Sequence, residues 1–595
     1  MIKTNIHRII FTVLVLMNIV SQAQNPPAKN TEQKEWIVRS NKFTQSLIDI
    51  DEKYSPEFGS QQGLAYYDTL VSVPTLKNIT AERNDKTALV AQLKTAKEKE
   101  TVLPLIQDLD ILINQTELGF RQDDFSLGKE VSYLNPTSSV FDGIQTLLDD
   151  QTPVERQNVA VIRLKKYAGL QNGYTPITKI LQNRTIGQMN KPGMIYPSKQ
   201  EMEISISRNA SMVSGIKDLF IKYKISGWEQ SYAVIKKQLE DYDQWITTTL
   251  MPKGRVDFRL PPEEYKLALE GFGIDIPPAE MAKMAHAAYV DILGQMKTLA
   301  IRVANKYNLP YNDYQSVLKF LKKDQLVGDS IMIVYKQHLA DIEDIIRKEH
   351  LVTLPNRAAI IRLATAAETA QQPAPHMVPP PFLNNTGQRG VFVLPLNNPT
   401  APGEKEDKYD DFTFDAASWT IIAHEVRPGH ELQFDKMVEE GVSNARALYA
   451  FNSTNVEGWA LYSESITLPY MPVEGQLVSL DYRLLRAARA FLDPELQAGI
   501  VTQQQALDIL MNEVVTSHAM AKQEVERYTV RMPGQANSYF YGFSKISQIR
   551  KDTEKELGAK FNQQSFHDFI LSQGILPPAL IKDAVVREYI PSAKK

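Results

Sequence analysis

The stretch Trp419-Thr420-Ile421-Ile422-Ala423-His424-Glu425-Val426-Arg427-Pro428-Gly429-His430-Glu431-Leu432-Gln433 holds the residue types from which a catalytic metal site is built. Two histidines four apart on a helix share one face, and a glutamate between them can act as base; that is the usual zinc-peptidase arrangement. Here the fourth position after His424 is Pro428, and the second histidine, His430, comes two residues later. A straight helix turns about 600° over six residues, which carries His430 off the face of His424. Pro428 removes a backbone donor and disfavours helix at Arg427, while Gly429 admits backbone angles closed to other residues. The spacing therefore predicts a local two-residue bulge that returns His430 to the side of His424.

A third ligand is expected in Asn455-Val456-Glu457-Gly458-Trp459-Ala460-Leu461-Tyr462-Ser463-Glu464, where Glu457 and Glu464 share a helical face. Glu457 is the preferred ligand and Glu464 its competitor; Glu464 otherwise braces a ligand histidine through its second ring nitrogen. A His₂Glu set leaves a fourth position for water, the mark of a catalytic zinc site. One zinc ion would lower the pKa of that water, and Glu425 would accept its proton. A lone His-Glu pair is ordinarily a solvated helix face. What raises this one above that reading is the combination, with two of the chain's nine histidines within seven residues.

The elements that must position these groups are mostly helical. Pro277-Pro278 opens a segment reaching about Tyr307, with Met281, Met284, Ala288, Ile292, Met296, Leu299 and Val303 at three- and four-residue steps. Tyr314–Leu321, Ile331–Ile346, Val154–Leu170 and Asp218–Leu250 continue in that style, their Met and aromatic stripes reading as helix-packing core. Residues 373–402 break the rhythm with Pro373, Pro375, Pro379, Pro380, Pro381, Pro395, Pro399 and Pro402. Within them Gly390-Val391-Phe392-Val393-Leu394-Pro395 reads as an edge strand or strand end, because proline cannot donate to a ladder.

Composition narrows the chemistry. The 595 residues include no cysteine, which excludes disulfide-stapled folds, iron–sulfur centres, cysteine hydrolases and Cys-ligated zinc fingers. Any metal must be held by His, Asp or Glu. The 66 basic residues against 70 acidic ones argue against a nucleic-acid partner. Lys3, His7 and Arg8 precede the apolar run Ile9–Val20, and Ser21-Gln22-Ala23 supplies a small-residue cleavage site. Residues 1–23 therefore read as a signal peptide, its apolar run too short to span a bilayer, of an exported periplasmic or secreted protein. With no cysteine after the run a bacterial lipid anchor is excluded, and no membrane association is expected after signal removal. The polar residues 24–35 read as a loose start.

Three blocks resemble the bacterial proteins of "domain of unknown function 885". His-Glu-x-x-Pro-Gly-His is matched by His424 to His430, with Gln433 following as in the family. Glu-Gly-Trp-Ala-Leu-Tyr-x-Glu is matched by Glu457 to Glu464. A third block is matched by Glu524, Val525, Arg527, Tyr528, Pro533, Gly534, Gln535, Ala536, Tyr539 and Gly542. These proteins resemble the gluzincin metallopeptidases: Glu457-Gly458-Trp459-Ala460 is similar to the Glu-Gly-Phe-Ala stretch whose glutamate binds zinc in aminopeptidase-N-like enzymes. The resemblance implies a mainly α, large two-lobed helical gluzincin-like fold, with a deep cleft and a small β element beside the active-site helix. It also implies a zinc-dependent peptidase acting on peptides. Two positions depart from the family pattern: Glu431 stands where a histidine is usual, and Asp493-Pro494-Glu495-Leu496-Gln497 ends in Gln497 where the family often has histidine.

A gluzincin needs donors where an oxyanion develops. Tyr539 is favoured and Tyr528 second. Arg527 and Arg531 are candidates to clamp a peptide carboxylate, with a buried ion pair to Glu524 or Glu526 as the equal alternative. Pro533-Gly534 is expected to turn the chain so that Gln535 and Tyr539 reach the site. Gln433 supports the ligands, and His376 and His518 are further cleft candidates. In gluzincins a strand in this order pairs with extended substrate, which points to Val391 and Val393. The chain divides into a helical part, 24–370, and a site-bearing part, 371–595. The expected function is an exported zinc metallopeptidase. Its alternatives are a catalytically silent peptide-binding protein, fed by Gln497 and Glu431, and a zinc hydrolase of a non-peptide amide or ester.

Overall fold

The structure, a computed structural model, describes residues 34–372, 374–398, 407–408 and 410–595. The expected signal peptide, residues 24–33, and Pro373, Pro399 and Pro402 lie outside the described residues. Residues 33–595 form one compact unit. It is mainly helical, with a small three-stranded sheet. No described helix is long and apolar enough to cross a membrane.

Helix boundaries follow capping chemistry. Pro278 opens the longest helix, Pro278–Tyr307, at a position where its missing N–H costs nothing, and Asn308 ends it in the left-handed region at φ 51°. Met281, Ala285, Tyr289, Ile292, Met296, Leu299 and Val303 are buried at three- and four-residue steps against the helix Val473–Gln497. Two other expected helices divide. Val154–Leu170 becomes Val154–Gln157 and Ala160–Tyr167, and Asp218–Leu250 is interrupted between Lys222 and Glu229. The second interruption carries Lys224 at φ 56° and Gly227 at φ 80°, backbone angles that no helix accommodates.

Three hydrophobic clusters organise the described residues. One joins Leu47, Leu93, Leu105 and Leu112 of the first long helices. A second gathers Phe141, Leu164, Ile216, Phe220 and Ile235. The largest runs from Tyr265 through Met296, Tyr335 and Trp459 to Tyr589 and surrounds the candidate site. That core takes helices from both sides of residue 370, so the division at 370 and 371 follows the chain and not the packing.

The sheet holds β1 (Ile360–Leu363), β2 (His376–Val378) and β3 (Val391–Leu394). β3 lies in the middle, parallel to β1 with Ile360 opposite Val391, and antiparallel to β2 with His376 opposite Val393. The expectation of an edge strand at Val391–Leu394 is therefore corrected. Both edges of β3 are paired and all four of its residues are buried, as suits an uninterrupted apolar run. Pro395 ends the strand instead of marking an edge. The open edge facing the site belongs to β2.

Candidate metal centre

The motif helix, Asp415–Glu425, is buried along almost its whole length, which explains its unbroken apolar character. It stops at Glu425. Val426 leaves helical geometry at φ −114°, ψ −89°, the Arg427–Pro428 peptide is cis, and a new helix, His430–Lys436, begins. The expected bulge is thus a complete break between two helices. Its outcome is the one sought: the rings of His424 and His430 lie 4.8 Å apart, at 85° to each other. Gly429 is required because a Cβ there would sit 1.8 Å from the carbonyl oxygen of His424. The Trp459 indole N–H donates to the Pro428 carbonyl at 2.9 Å, tying this turn to the helix Ser453–Thr467.

That helix delivers the third group. Glu457 Oε2 lies 3.4 Å from His424 Nε2 and 3.5 Å from His430 Nε2, yet makes no hydrogen bond to either. Among the described residues, His424, His430 and Glu457 are the one set of three whose ligand atoms converge, all within 4.8 Å of one another. Burial alone would raise the Glu457 carboxyl, but the two imidazoles hold it well below the usual range, so it is anionic.

Glu464 takes the supporting position. It is fully buried, and its Oε1 accepts from His424 Nδ1 at 2.7 Å while its Oε2 accepts from the Thr420 hydroxyl at 3.0 Å. Arg486 stands 3.3 Å away, and together with His424 it keeps this carboxyl below the usual range against burial. A carboxylate at Nδ1 fixes the proton there and leaves the Nε2 lone pair facing Glu457. Gln433 bonds Asn455 at 2.8 Å, joining the His430 helix to the Glu457 helix.

Glu425 lies beside the three groups, with Oε1 4.0 Å from His424 Nε2 and Oε2 buried without a hydrogen-bond partner. Burial pushes its carboxyl up to about 8, with Glu457 adding to the rise and His430 opposing it. A carboxyl in that state is suited to exchanging protons near neutrality.

All four groups open on a cleft of about 360 Å³. Tyr539 and Arg527 line it, as expected, and so does His376 on β2. The Tyr539 ring stacks against His424 with centroids 6.1 Å apart. Six expected residues are elsewhere. Tyr528 is buried and donates its hydroxyl to Glu524 at 2.7 Å, which removes it as an oxyanion donor. Gln535 is buried and bonds the Ser453 hydroxyl at 3.0 Å. Arg531 borders a different hollow, beside Arg208 and Met212. Val391 and Val393 are in the sealed central strand, with no backbone to offer a substrate. His518 opens the helix His518–Glu526 and is not part of the cleft lining.

The two departures from the family pattern are structural. Glu431 is buried in ion pairs with Arg427 and Arg357, and Arg357 also reaches Asp435 at 2.8 Å. Gln497 accepts from the Leu260 N–H at 2.8 Å and donates to the Tyr528 carbonyl at 2.7 Å. Neither residue lines the cleft.

The sequence reading missed Tyr482, Arg486 and Arg489, which also line it, as does Glu524. A signal existed. Arg483, Arg486 and Arg489 recur at three-residue steps in an apolar helix, and buried arginines require carboxylate partners. Arg489 meets Glu524 in a bidentate pair at 2.6 and 2.8 Å. Beyond β2 lies a second hollow of about 320 Å³, sharing Gln372, His376 and Pro379 with the cleft.

Fold and site together define a mainly helical protein with a His–His–Glu cluster opening on a cleft. The chain belongs to the DUF885 family, bacterial proteins of unknown function, whose model matches residues 56–585. No curated protein matches it. Among solved structures, a candidate lipoprotein of unknown function from Shewanella oneidensis is 18% identical with a TM-score of 0.69, covering 92% of this chain and 100% of that one. A candidate lipoprotein from Colwellia psychrerythraea is also 18% identical, with a TM-score of 0.68 and coverage of 94% and 99%. Both are similar in fold.

Proposed function

We propose that this protein is an exported zinc-dependent hydrolase of the gluzincin type, acting on peptides. The observation that carries the reading is the convergence of His424, His430 and Glu457 with Glu425 alongside. Ligand atoms about 2.0–2.1 Å from a tetrahedral zinc ion stand roughly 3.4 Å from one another. The separations of 3.4 and 3.5 Å around Glu457 Oε2, with no hydrogen bond made, fit that donor set. The ion would supply Lewis acidity, making water a better nucleophile and polarising a substrate carbonyl.

The residues of the chain do the rest. Glu464 holds His424 in the tautomer that presents Nε2. Glu425 accepts a proton from the attacking water and passes it to the leaving nitrogen. Tyr539 is the tyrosine positioned to donate to a developing oxyanion. The open edge of β2 takes over the role first assigned to Val391 and Val393, pairing with an extended substrate backbone. Glu431 and Gln497, the two departures that prompted the silent-binding alternative, serve internal contacts away from the cleft. Export is read from the N-terminal apolar run, and the description of two structural relatives as candidate lipoproteins accords with an envelope location.

The test is hydrolysis of a mixed peptide library by the purified protein, with chelator and with zinc restored. Glu425→Gln should keep zinc bound while lowering kcat by about 10²–10⁴-fold. Unchanged hydrolysis in that variant, with zinc still bound, would overturn the mechanism.

A further inference from the structure

The cleft has two unlike ends. One passes β2 into the second hollow at Gln372, His376 and Pro379. The other is walled by Arg486, Arg489 and Arg527, none of which borders that hollow. At the arginine end the charges do not balance. Glu524 is shared by two arginines, and Arg489 already holds both of its oxygens. The nearest approach of Arg527 to it is 3.7 Å, and Arg527 Nη1 is buried with no hydrogen-bond partner. Arg527 lines the cleft at only 7% exposure, and a buried donor left without a partner is costly unless something anionic arrives. Arg486 has its own idle Nε, and its carboxylate, Glu464, is shared with His424.

Tyr539 sets the distance from this end to the metal centre. Its ring stacks on His424 at 6.1 Å and lies under the guanidinium carbons of Arg489, at 4.5 Å, and Arg527, at 6.0 Å. One aromatic ring therefore separates Arg489 and Arg527 from His424, a proposed ligand. An extended residue spans about 3.5 Å, so a chain of one to three residues bridges that gap.

We propose that Arg527, with Arg489 and Arg486, captures the free C-terminal carboxylate of a peptide, so that the enzyme removes one to three residues from the C-terminus. This rests on the hydrolase reading above. The carboxylate would accept from the Arg527 guanidinium, the scissile carbonyl would lie at the candidate metal centre, and the remainder of the chain would run along β2 toward the second hollow. The reaction needs no co-reactant besides water. The amide C–N bond breaks, the water oxygen joins the acyl carbon, and the leaving nitrogen gains the protons that water gives up. The products are a new carboxylate and a short peptide or amino acid carrying the original one.

The test compares matched peptides with a free C-terminal carboxylate and with a C-terminal amide, using the zinc-loaded full chain and mass spectrometry of the products. Free acids should lose one to three C-terminal residues, and the amides should react at least about 30-fold more slowly in kcat/KM, the scale of a lost hydrogen bond to a charged group. Arg527→Gln should shrink that preference, mainly through KM, and Arg527→Lys should restore part of it; thermal melts of both variants establish that they fold. Chelator-sensitive cleavage indifferent to amidation, or release from the N-terminus, would overturn this proposal while leaving the hydrolase reading standing. If no peptide is cut, the hydrolase reading falls. Titration calorimetry of Glu425→Gln with an N-acetyl dipeptide acid and its amide then decides the arginine end by itself. Binding of the acid alone supports carboxylate capture, and equal or absent binding of both overturns it.

Discussion

At the scale of residues, the site is a set of carboxylates given different tasks by their surroundings. Glu457, between two imidazoles, stays ionised despite burial, whereas Glu425, with one unpartnered oxygen, is pushed up to about 8. Glu464 makes its contribution through His424. Replacing it by Gln should therefore lower metal affinity by about 10–100-fold without removing any proposed ligand, as loss of a group that orients a ligand does. Competition with a fluorescent zinc chelator would measure this, and unchanged affinity would remove Glu464 from the site. These roles were largely legible in the sequence, because each rests on spacings within one or two helical turns: Glu457 to Glu464, or His424 to Glu425. The arginine end was not. Arg489 and Glu524 are 35 positions apart, and only the packed helices bring them together. Tyr528 and Gln535 mislead for a related reason: their types suit catalysis, and only packing reveals their commitment to Glu524 and Ser453.

At the scale of elements, the candidate metal centre depends on one helix crossing. Gly458 lies beside Glu457, and a Cβ on it would meet Gly542 at 2.5 Å; a Cβ on Gly542 would meet the Thr454 carbonyl oxygen at 1.8 Å. The helices Ser453–Thr467 and Asn537–Leu557 thus touch backbone to backbone, bringing Glu457 and Tyr539 into one cleft. Gly542→Ala should force them apart, costing about 1–3 kcal/mol or more in stability and weakening zinc binding in parallel. Thermal melts with and without zinc would check this, and an unaffected variant would show that the crossing has slack. Element types were readable because period and capping are local. Strand order was not: the pairing of β1 with β3 joins segments separated by about thirty residues, and nothing in the Val391–Leu394 run tells an edge from a centre.

At the scale of the whole molecule, a site built from buried ions makes folding sensitive to acid. Burial would raise the Glu524 carboxyl, but Arg489 and Arg527 overcome it and hold it at about 2. A carboxyl lower in the folded chain than its ordinary 4.5 contributes stability that is fully present above that value. The contribution is lost as pH falls toward about 2. Glu524→Gln, which strands two buried arginines, should cost about 3–5 kcal/mol at neutral pH. Its deficit against the parent chain should shrink as pH is lowered from about 4.5, since the unfolded parent's Glu524 then takes up a proton that the folded one does not until about 2. Urea titrations at several pH values would follow it, and a pH-independent deficit would contradict the ion-pair account.

The glycine crossing also bears on how the cleft can open. Two helices in backbone contact have no layer of side chains on which to slide or change rotamer, so the wall carrying Glu457 and Tyr539 is a fixed frame. Any give in the cleft must then lie elsewhere in its lining, where β2 is an edge strand only three residues long backed by the second hollow.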